Sequence, residues 1–244
     1  MKEERQGFMR KKLGLILLCL LMALGIMGLS GCKEKAENEK ENIGSESEEE
    51  AKEPEYSSLG EVKQPANAEE ASYGGFSAQY DKDKWAFDAR MGQFAIYDKS
   101  DYESNSEALD NINVRISADF EGTLKESDMN TLMNQLNLMG ATTGFKVKSN
   151  EMKTFEGEPV IYYEAETKLT DEMLDLLIED GSVTEADIEA MGGREYLINL
   201  PASKQIGINA VVDGKIITVT GTYKDSPDEM IEAMKLLIKT GKIQ

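Results

Sequence analysis

The chain contains no histidine, and its only two cysteines are Cys19 and Cys32. The missing imidazole excludes Ser-His-Asp and Cys-His machinery, His-ligated zinc and the usual general base near neutral pH. With both thiols in the first thirty-odd residues, the remainder has neither a disulfide scaffold nor a Cys-rich metal site. No glycine-rich phosphate cradle is present. Basic charge is scarce as well: Lys and Arg number 27 against 46 Asp and Glu, a net of −19. From Ala71 onward the net is −14. Such a body repels phosphate backbones, which excludes nucleic acid as a partner, and stands off from anionic headgroups unless tethered. No cofactor is expected. The chemistry left over is that of carboxylates, Lys, Tyr and hydroxyls.

What is present begins at the amino terminus. Arg10, Lys11 and Lys12 precede an almost unbroken apolar run over residues 13–29. This is the basic-then-apolar pattern of an export signal, slightly shorter than the ~20 residues of a membrane span. The run ends in Leu29, Ser30, Gly31 and Cys32. That ending resembles the lipobox of bacterial lipoproteins, a large aliphatic residue and two small ones before a cysteine. The resemblance implies cleavage between Gly31 and Cys32, a diacylglyceryl group on the Cys32 thiol, and a new amino terminus that can be acylated in turn. Cys19 would leave with the signal. At ~0.8 kcal/mol per buried methylene, two or three acyl chains (palmitate-like) hold a protein on a bilayer essentially permanently. The expected location is therefore the extracytoplasmic face of the cell membrane.

Residues 33–70 carry five basic and thirteen acidic side chains and almost no large apolar ones. Such a composition cannot offset its ordering entropy by burial, so residues 32–71 are expected to form a lipidated, disordered acidic linker. A flexible coil of that length has a reach of ~30–35 Å.

From Ser72 to the carboxyl terminus, periodicity becomes readable. Residues 76–80 and 112–120 alternate, the signature of half-covered antiparallel strands. Asp213-Gly214 supplies a type I′ turn that sets Ala210 opposite Ile217, Ile208 opposite Val219 and Ile206 opposite Gly221. A second hairpin turns at Glu156-Gly157 and brings Met152 opposite Ile161. Two helices bracket the sheet. The first has Ser127 as N-cap, an apolar face of Met129, Leu132, Met133, Leu136 and Met139, and Gly140 as its stop. The last begins at Ser226, Pro227, Asp228 and Glu229, read as a capping box, runs along Met230, Ile231, Met234, Leu237 and Ile238, and stops at Gly241. Between residues 168 and 205, Leu169, Met173, Leu176 and Leu177 suit one short helix, and Ile188 and Met191 another. This stretch reads as a helical insertion at the sheet edge.

The order strand, strands, helix, long hairpin, hairpin, final helix resembles the PsbP-like superfamily. Tyr80, Asp81, Lys82, Asp83, Lys84 and Trp85 carry the likeness, together with the closing hairpin and helix over 213–243. This chain departs from the family in lacking a proline between Tyr80 and Trp85, and in carrying the insertion. The resemblance implies an α+β fold, a central antiparallel sheet with helices on both faces, and docking onto other proteins.

Several residues are candidates for binding. Trp85, the single tryptophan, suits a core position or a stacking surface. The Met-rich helix faces suit core or an adaptable groove. Tyr162, Glu164 and Glu166 share one strand face and suit a cation, a carbohydrate or acid–base work. Asp98, Ser100, Asp101, Glu103, Asn105 and Glu107 are oxygen-rich like a calcium loop but lack its glycine and ligand order. The expected function is thus a membrane-anchored, non-catalytic docking module for a protein or cell-envelope partner. The alternative is a carboxylate-dependent hydrolase of a wall or surface glycan, which requires a cleft with two acids about 5–9.5 Å apart. Replacing Cys32 by alanine is expected to release the protein from the membrane fraction. Mass spectrometry of the mature amino terminus should find an acylated Cys32, and an unmodified thiol or an uncleaved leader would contradict this reading.

Overall fold

The computed structural model describes residues 54–89, 92–104, 110–179, 181 and 183–244. The leader with Cys19, the residues Leu29, Ser30, Gly31 and Cys32, and the linker as far as residue 53 lie outside the described residues, as do Asn105 and Glu107. The first strands are β1 (Ser57–Ser58), β2 (Ala68–Tyr73), β3 (Phe76–Asp81), β4 (Trp85–Phe87) and β5 (Phe94–Asp98). A short helix α1 (Lys99–Ser104) leads to β6 (Asn111–Asp119) and the long helix α2 (Glu126–Thr143). Next come β7 (Phe145–Phe155) and β8 (Glu158–Thr167), then three short helices, α3 (Asp171–Glu179), α4 (Glu185–Ala190) and α5 (Arg194–Ile198). The chain closes with β9 (Ser203–Val212), β10 (Lys215–Tyr223), α6 (Asp228–Thr240) and β11 (Lys242–Ile243).

One eight-stranded sheet has the order β1-β7-β8-β9-β10-β6-β5-β4, and a three-stranded sheet has the order β11-β3-β2. All neighbours are antiparallel except β1 and β7. The α+β architecture follows from alternation along the central strands. In β8, Val160 and Tyr162 face one core and Ile161, Tyr163 and Ala165 the other. The first core is closed by α6, through Met230, Ala233, Met234, Leu237 and Ile238, and by the small sheet, through Phe76, Ala78 and Tyr80. The second is closed by Leu132, Met133 and Leu136 of α2. Helices therefore lie on both faces.

Both hairpins have the register their patterns dictate. Ala210 pairs with Ile217, Ile208 with Val219 and Ile206 with Gly221. Asp213 and Gly214 take φ of 48° and 73°, the left-handed pair that a type I′ turn needs. Met152 pairs with Ile161 around a turn in which Glu156 and Gly157 also have positive φ.

Helix ends depart from expectation. Ser127 lies inside α2, whose N-cap is Lys125; the Asp128 carboxylate accepts from the Lys125 N–H at 2.8 Å. Gly140 lies within the helix, which ends at Gly144 in the left-handed region (φ 63°). Gly140 is a close-approach residue, because a Cβ there would sit 2.2 Å from the Phe145 carbonyl oxygen. At α6, Pro227 is already αR and its carbonyl accepts from Ile231 N–H at 2.8 Å, while Ser226 Oγ accepts from Asp228 N–H at 3.4 Å. Glu229 does not complete a capping box; it pairs with Lys84 at 2.8 Å.

The insertion forms three helices with their own small core, and Leu174 is fully buried there while Leu176 is 48 % exposed. Arg194 ties it together through Asp171, Asp175 and Glu185 at 3.8, 2.7 and 2.9 Å. It hangs from the ends of β8 and β9, two adjacent central strands, rather than from an edge of the sheet.

The linker expectation is corrected at its carboxyl end. Residues 54–71 belong to the fold: β1 pairs in parallel with β7, and β2 pairs with β3. Leu59 and Val62 pack onto the α6 core. Lys235, buried on α6, donates from Nζ to the carbonyls of Leu59 (3.1 Å) and Glu61 (3.0 Å) and pairs with Glu232 at 2.6 Å. A few apolar residues and one cation thus order a segment whose average composition is that of a coil. Charge-assisted bonds of this kind are each worth about 1.5–3 kcal/mol, and their loss leaves two carbonyls unpaired. Lys235→Met is expected to lower stability by about 2–3 kcal/mol in urea unfolding. Hydrogen exchange should accelerate over residues 57–62 in that variant, and unchanged protection there would contradict the clamp.

Candidate functional site

The strap clamped by Lys235 forms one wall of a groove of about 530 Å³. Glu61, Val62, Lys63, Gln64 and Pro65 supply that wall, and Asp228, Glu229, Glu232, Ala233 and Leu236 of α6 the opposite one. Asp81, Lys84 and Trp85 close the end. The turn between β3 and β4 is fixed by Asp81, whose carboxylate accepts from Asp83 N–H at 3.0 Å and whose carbonyl accepts from Lys84 N–H at 3.1 Å. Pro65 and the extended strap keep the wall from folding back as helix. Five acids against Lys63 and Lys84 make the lining acidic. Several of these acids already have partners: Glu229 has Lys84, Glu232 has Lys235, and Asp228 Oδ2 accepts from the Ser226 hydroxyl at 3.2 Å.

Trp85 is 6 % exposed and belongs to the α6 core, while also lining the groove. Of the Met-rich faces, Met133, Met230 and Met234 are buried, and Met129 and Met139 pack partly buried beneath α2. The helix faces are therefore core. Among the described residues, no helix is long and apolar enough to cross a membrane.

The other candidates are consumed within the fold. Asp98 caps α1, accepting from Asp101 N–H at 2.9 Å, and Asp101 pairs with Lys224. The described part of that oxygen-rich stretch, Lys99–Ser104, is thus helical rather than a calcium-type loop. Among the described residues no group of three His, Cys, Asp or Glu is placed to hold a metal. Tyr162 donates to Glu164 at 2.9 Å and lies under the Lys153 ammonium, 5.2 Å from the ring centroid. Burial first, and then Glu164, push its phenol above the usual range. Glu166 pairs with Lys148 at 2.6 Å. Tyr162, Glu164 and Glu166 are therefore engaged by neighbours on their own sheet face and do not line the groove.

The hydrolase reading asks for a raised carboxyl in a cleft. Burial raises Asp110, with Lys224 opposing the shift, but Asp110 lies beside β6, where its carboxylate accepts from Lys224 N–H at 3.1 Å. It does not line the groove. No observation favours that chemistry. The groove itself escaped the sequence reading, because its strap sits in a stretch of coil-like composition. The available signals were Leu59 and Val62 among polar residues, and a lysine beside the apolar stripe of α6.

No family model matches the chain, and no curated protein matches it in sequence. Among solved structures, it is similar to cyanobacterial PsbP (CyanoP) from Synechocystis sp., with 13 % identity and a TM-score of 0.38 over 76 % of this chain and 99 % of that one. It is also similar to the Ran-binding protein Mog1p of Saccharomyces cerevisiae, with 7 % identity and a TM-score of 0.40 over 72 % of this chain and 95 % of that one. Likeness at this level is one of layout and carries no argument about what the chain binds.

Tyr163 offers a direct check of the packing behind the site. It is 4 % exposed, its ring occupies the space where a Cβ on Gly207 would stand, and burial pushes its phenol up to about 12 against the pull of Thr220. A phenol whose folded pKa is raised contributes stability that is complete below the unfolded value near 10. That contribution disappears as pH rises towards the folded value. Urea unfolding between about pH 9 and 12 is expected to show a loss approaching about 3 kcal/mol from this group. Tyr163→Phe should lack that component, and an identical alkaline profile in the two proteins would contradict the assignment.

Proposed function

We propose that the chain is a lipid-anchored extracytoplasmic protein whose folded domain is a non-catalytic docking module, and that the groove between the strap and α6 receives a cationic segment of a protein partner. The observation that carries this reading is the acidic lining set against a preformed backbone wall, with Glu61, Asp81 and Asp228 facing a cavity of about 530 Å³. A lysine- or arginine-bearing segment entering it gains Coulomb attraction and finds apolar contact on Val62, Ala233 and Leu236. The wall is held by Lys235 before any partner arrives, so binding does not carry the cost of ordering it.

Anchoring through Cys32 rests on the sequence pattern of basic segment, apolar run and lipobox. The strap lies immediately after the acidic linker, so the groove stands where the tether enters the domain. A lipid anchor would then hold the groove within a linker's reach of the membrane, where an envelope protein can meet it.

The test is photo-crosslinking from intact membranes with a reactive group at position 63, run beside Glu61→Lys/Asp228→Lys and Cys32→Ala proteins. A reproducible adduct that is lost in the double-lysine variant, and reduced when the anchor is removed, is expected. Failure to recover any reproducible partner, or recovery unaffected by charge reversal, would overturn the docking reading. Unchanged membrane retention of Cys32→Ala would overturn the anchor independently.

A further inference from the structure

The carboxylates of the groove differ in what holds them. Glu229, Glu232, Ala233 and Leu236 recur at helical spacing, so one stripe of α6 lines the groove, acids towards its amino-terminal end and apolar side chains beyond. Glu232 is engaged by Lys235 at 2.6 Å, an ammonium whose side chain is 3 % exposed. Withdrawing that carboxylate would take the counter-charge from a buried cation, so Glu232 is fixed. Glu229 is engaged by Lys84 at 2.8 Å, and here the two side chains are 75 % and 53 % exposed. Water readily replaces either partner of such a pair, so this one opens at little cost.

Lys84 is itself part of the lining. Its N–H donates to the Asp81 carbonyl in the β3–β4 turn, at the closed end, and its ammonium reaches across to the first turn of α6. The Glu229 hydrogen bond, opposed by slight desolvation and followed by the charges of Glu229 and Asp81, raises its pKa and keeps it charged. The other lining cation, Lys63 on the strap, makes no ion pair among the described residues. The chain thus sets one ammonium of its own against the carboxylate stripe that an incoming ammonium would seek.

We propose that Lys84 is an internal competitor for the groove: its ion pair with Glu229 closes the acidic end, and a cationic partner segment binds by taking Glu229 from it. The inference rests on the docking reading and adds how that site is regulated. The exchange trades one exposed ammonium–carboxylate pair for another, so the pair itself favours neither state strongly. A segment bearing several cations also reaches Glu61 and Asp228, whereas a lone ammonium offers nothing that Lys84 does not already supply. Apparent affinity is then lowered by the fraction of molecules in which Glu229 is free. Because exposed pairs are weak, the closed form exceeds the open one only a few-fold.

The experiment is fluorescence anisotropy of a fluorescein-labelled tetralysine peptide, titrated with the full chain in neutral-detergent micelles at fixed ionic strength. Lys84→Gln is expected to bind the peptide about three- to fivefold more tightly than the unaltered protein. With Glu229→Gln already in place, adding Lys84→Gln should change affinity by less than about twofold, because the carboxylate that Lys84 withholds is gone. Lys84→Arg, which keeps the pair and adds a second donor to it, should bind no more tightly than the unaltered protein. Equal or weaker binding by Lys84→Gln, or the same gain in the Glu229→Gln background, would overturn the inference and leave the docking reading standing. Absence of peptide binding, or binding that survives Glu61→Lys/Asp228→Lys, would overturn the docking reading and the inference with it.

Discussion

A single buried ammonium organises the strap and the groove beside it. Lys235 sits on the apolar side of α6, where an unpaired charge would be untenable, and it is satisfied by two carbonyls of the strap and by Glu232. The strap has few apolar residues of its own, and the ammonium needs acceptors inside the fold. Their mutual need fixes the wall of the groove.

The sheet acts as a partition. Because side chains alternate along each strand, alternate residues of β6, β9 and β10 serve opposite faces. Ile112, Val114, Ile206, Ile208, Ile217 and Val219 build the core under α6. Their neighbours in the chain present Asn113, Arg115, Asn209, Thr218 and Thr220 to the other side. A one-residue slip would exchange the two sets, so the Asp213-Gly214 turn that sets the register also sets which chemistry faces which way. Asp213 has a further role, accepting from Ile243 N–H at 2.8 Å and so tying the last strand of the small sheet to the hairpin of the large one.

Local patterns were legible wherever period and turn chemistry coincide. The pairing of Ala210 with Ile217 and of Met152 with Ile161 followed from alternation about two tight turns. The buried stripe of α6 followed from helical spacing. Helix boundaries were less legible, because the close approach of Gly140 to the Phe145 carbonyl depends on how the chain turns at Gly144, and Glu229 finds Lys84 across the fold rather than its own helix end. Leu176 and Leu174 show the same limit: a short helix offers two overlapping apolar faces, and only the neighbouring α4 and α5 choose between them.

The sequence by itself determined the classes of chemistry available, the α+β alternation, both hairpins and the export-signal pattern, because each depends on residue types or on neighbours a few positions apart. The tertiary structure alone decided that residues 54–71 belong to the fold, that Lys235 is buried against them, and that a groove lies against α6. These rest on contacts between residues such as Glu61 and Lys235, which meet only when distant segments are brought together. Local spacing carries no record of such meetings. They are fixed by burial, which makes every polar group in the interior either find its partner or go without one.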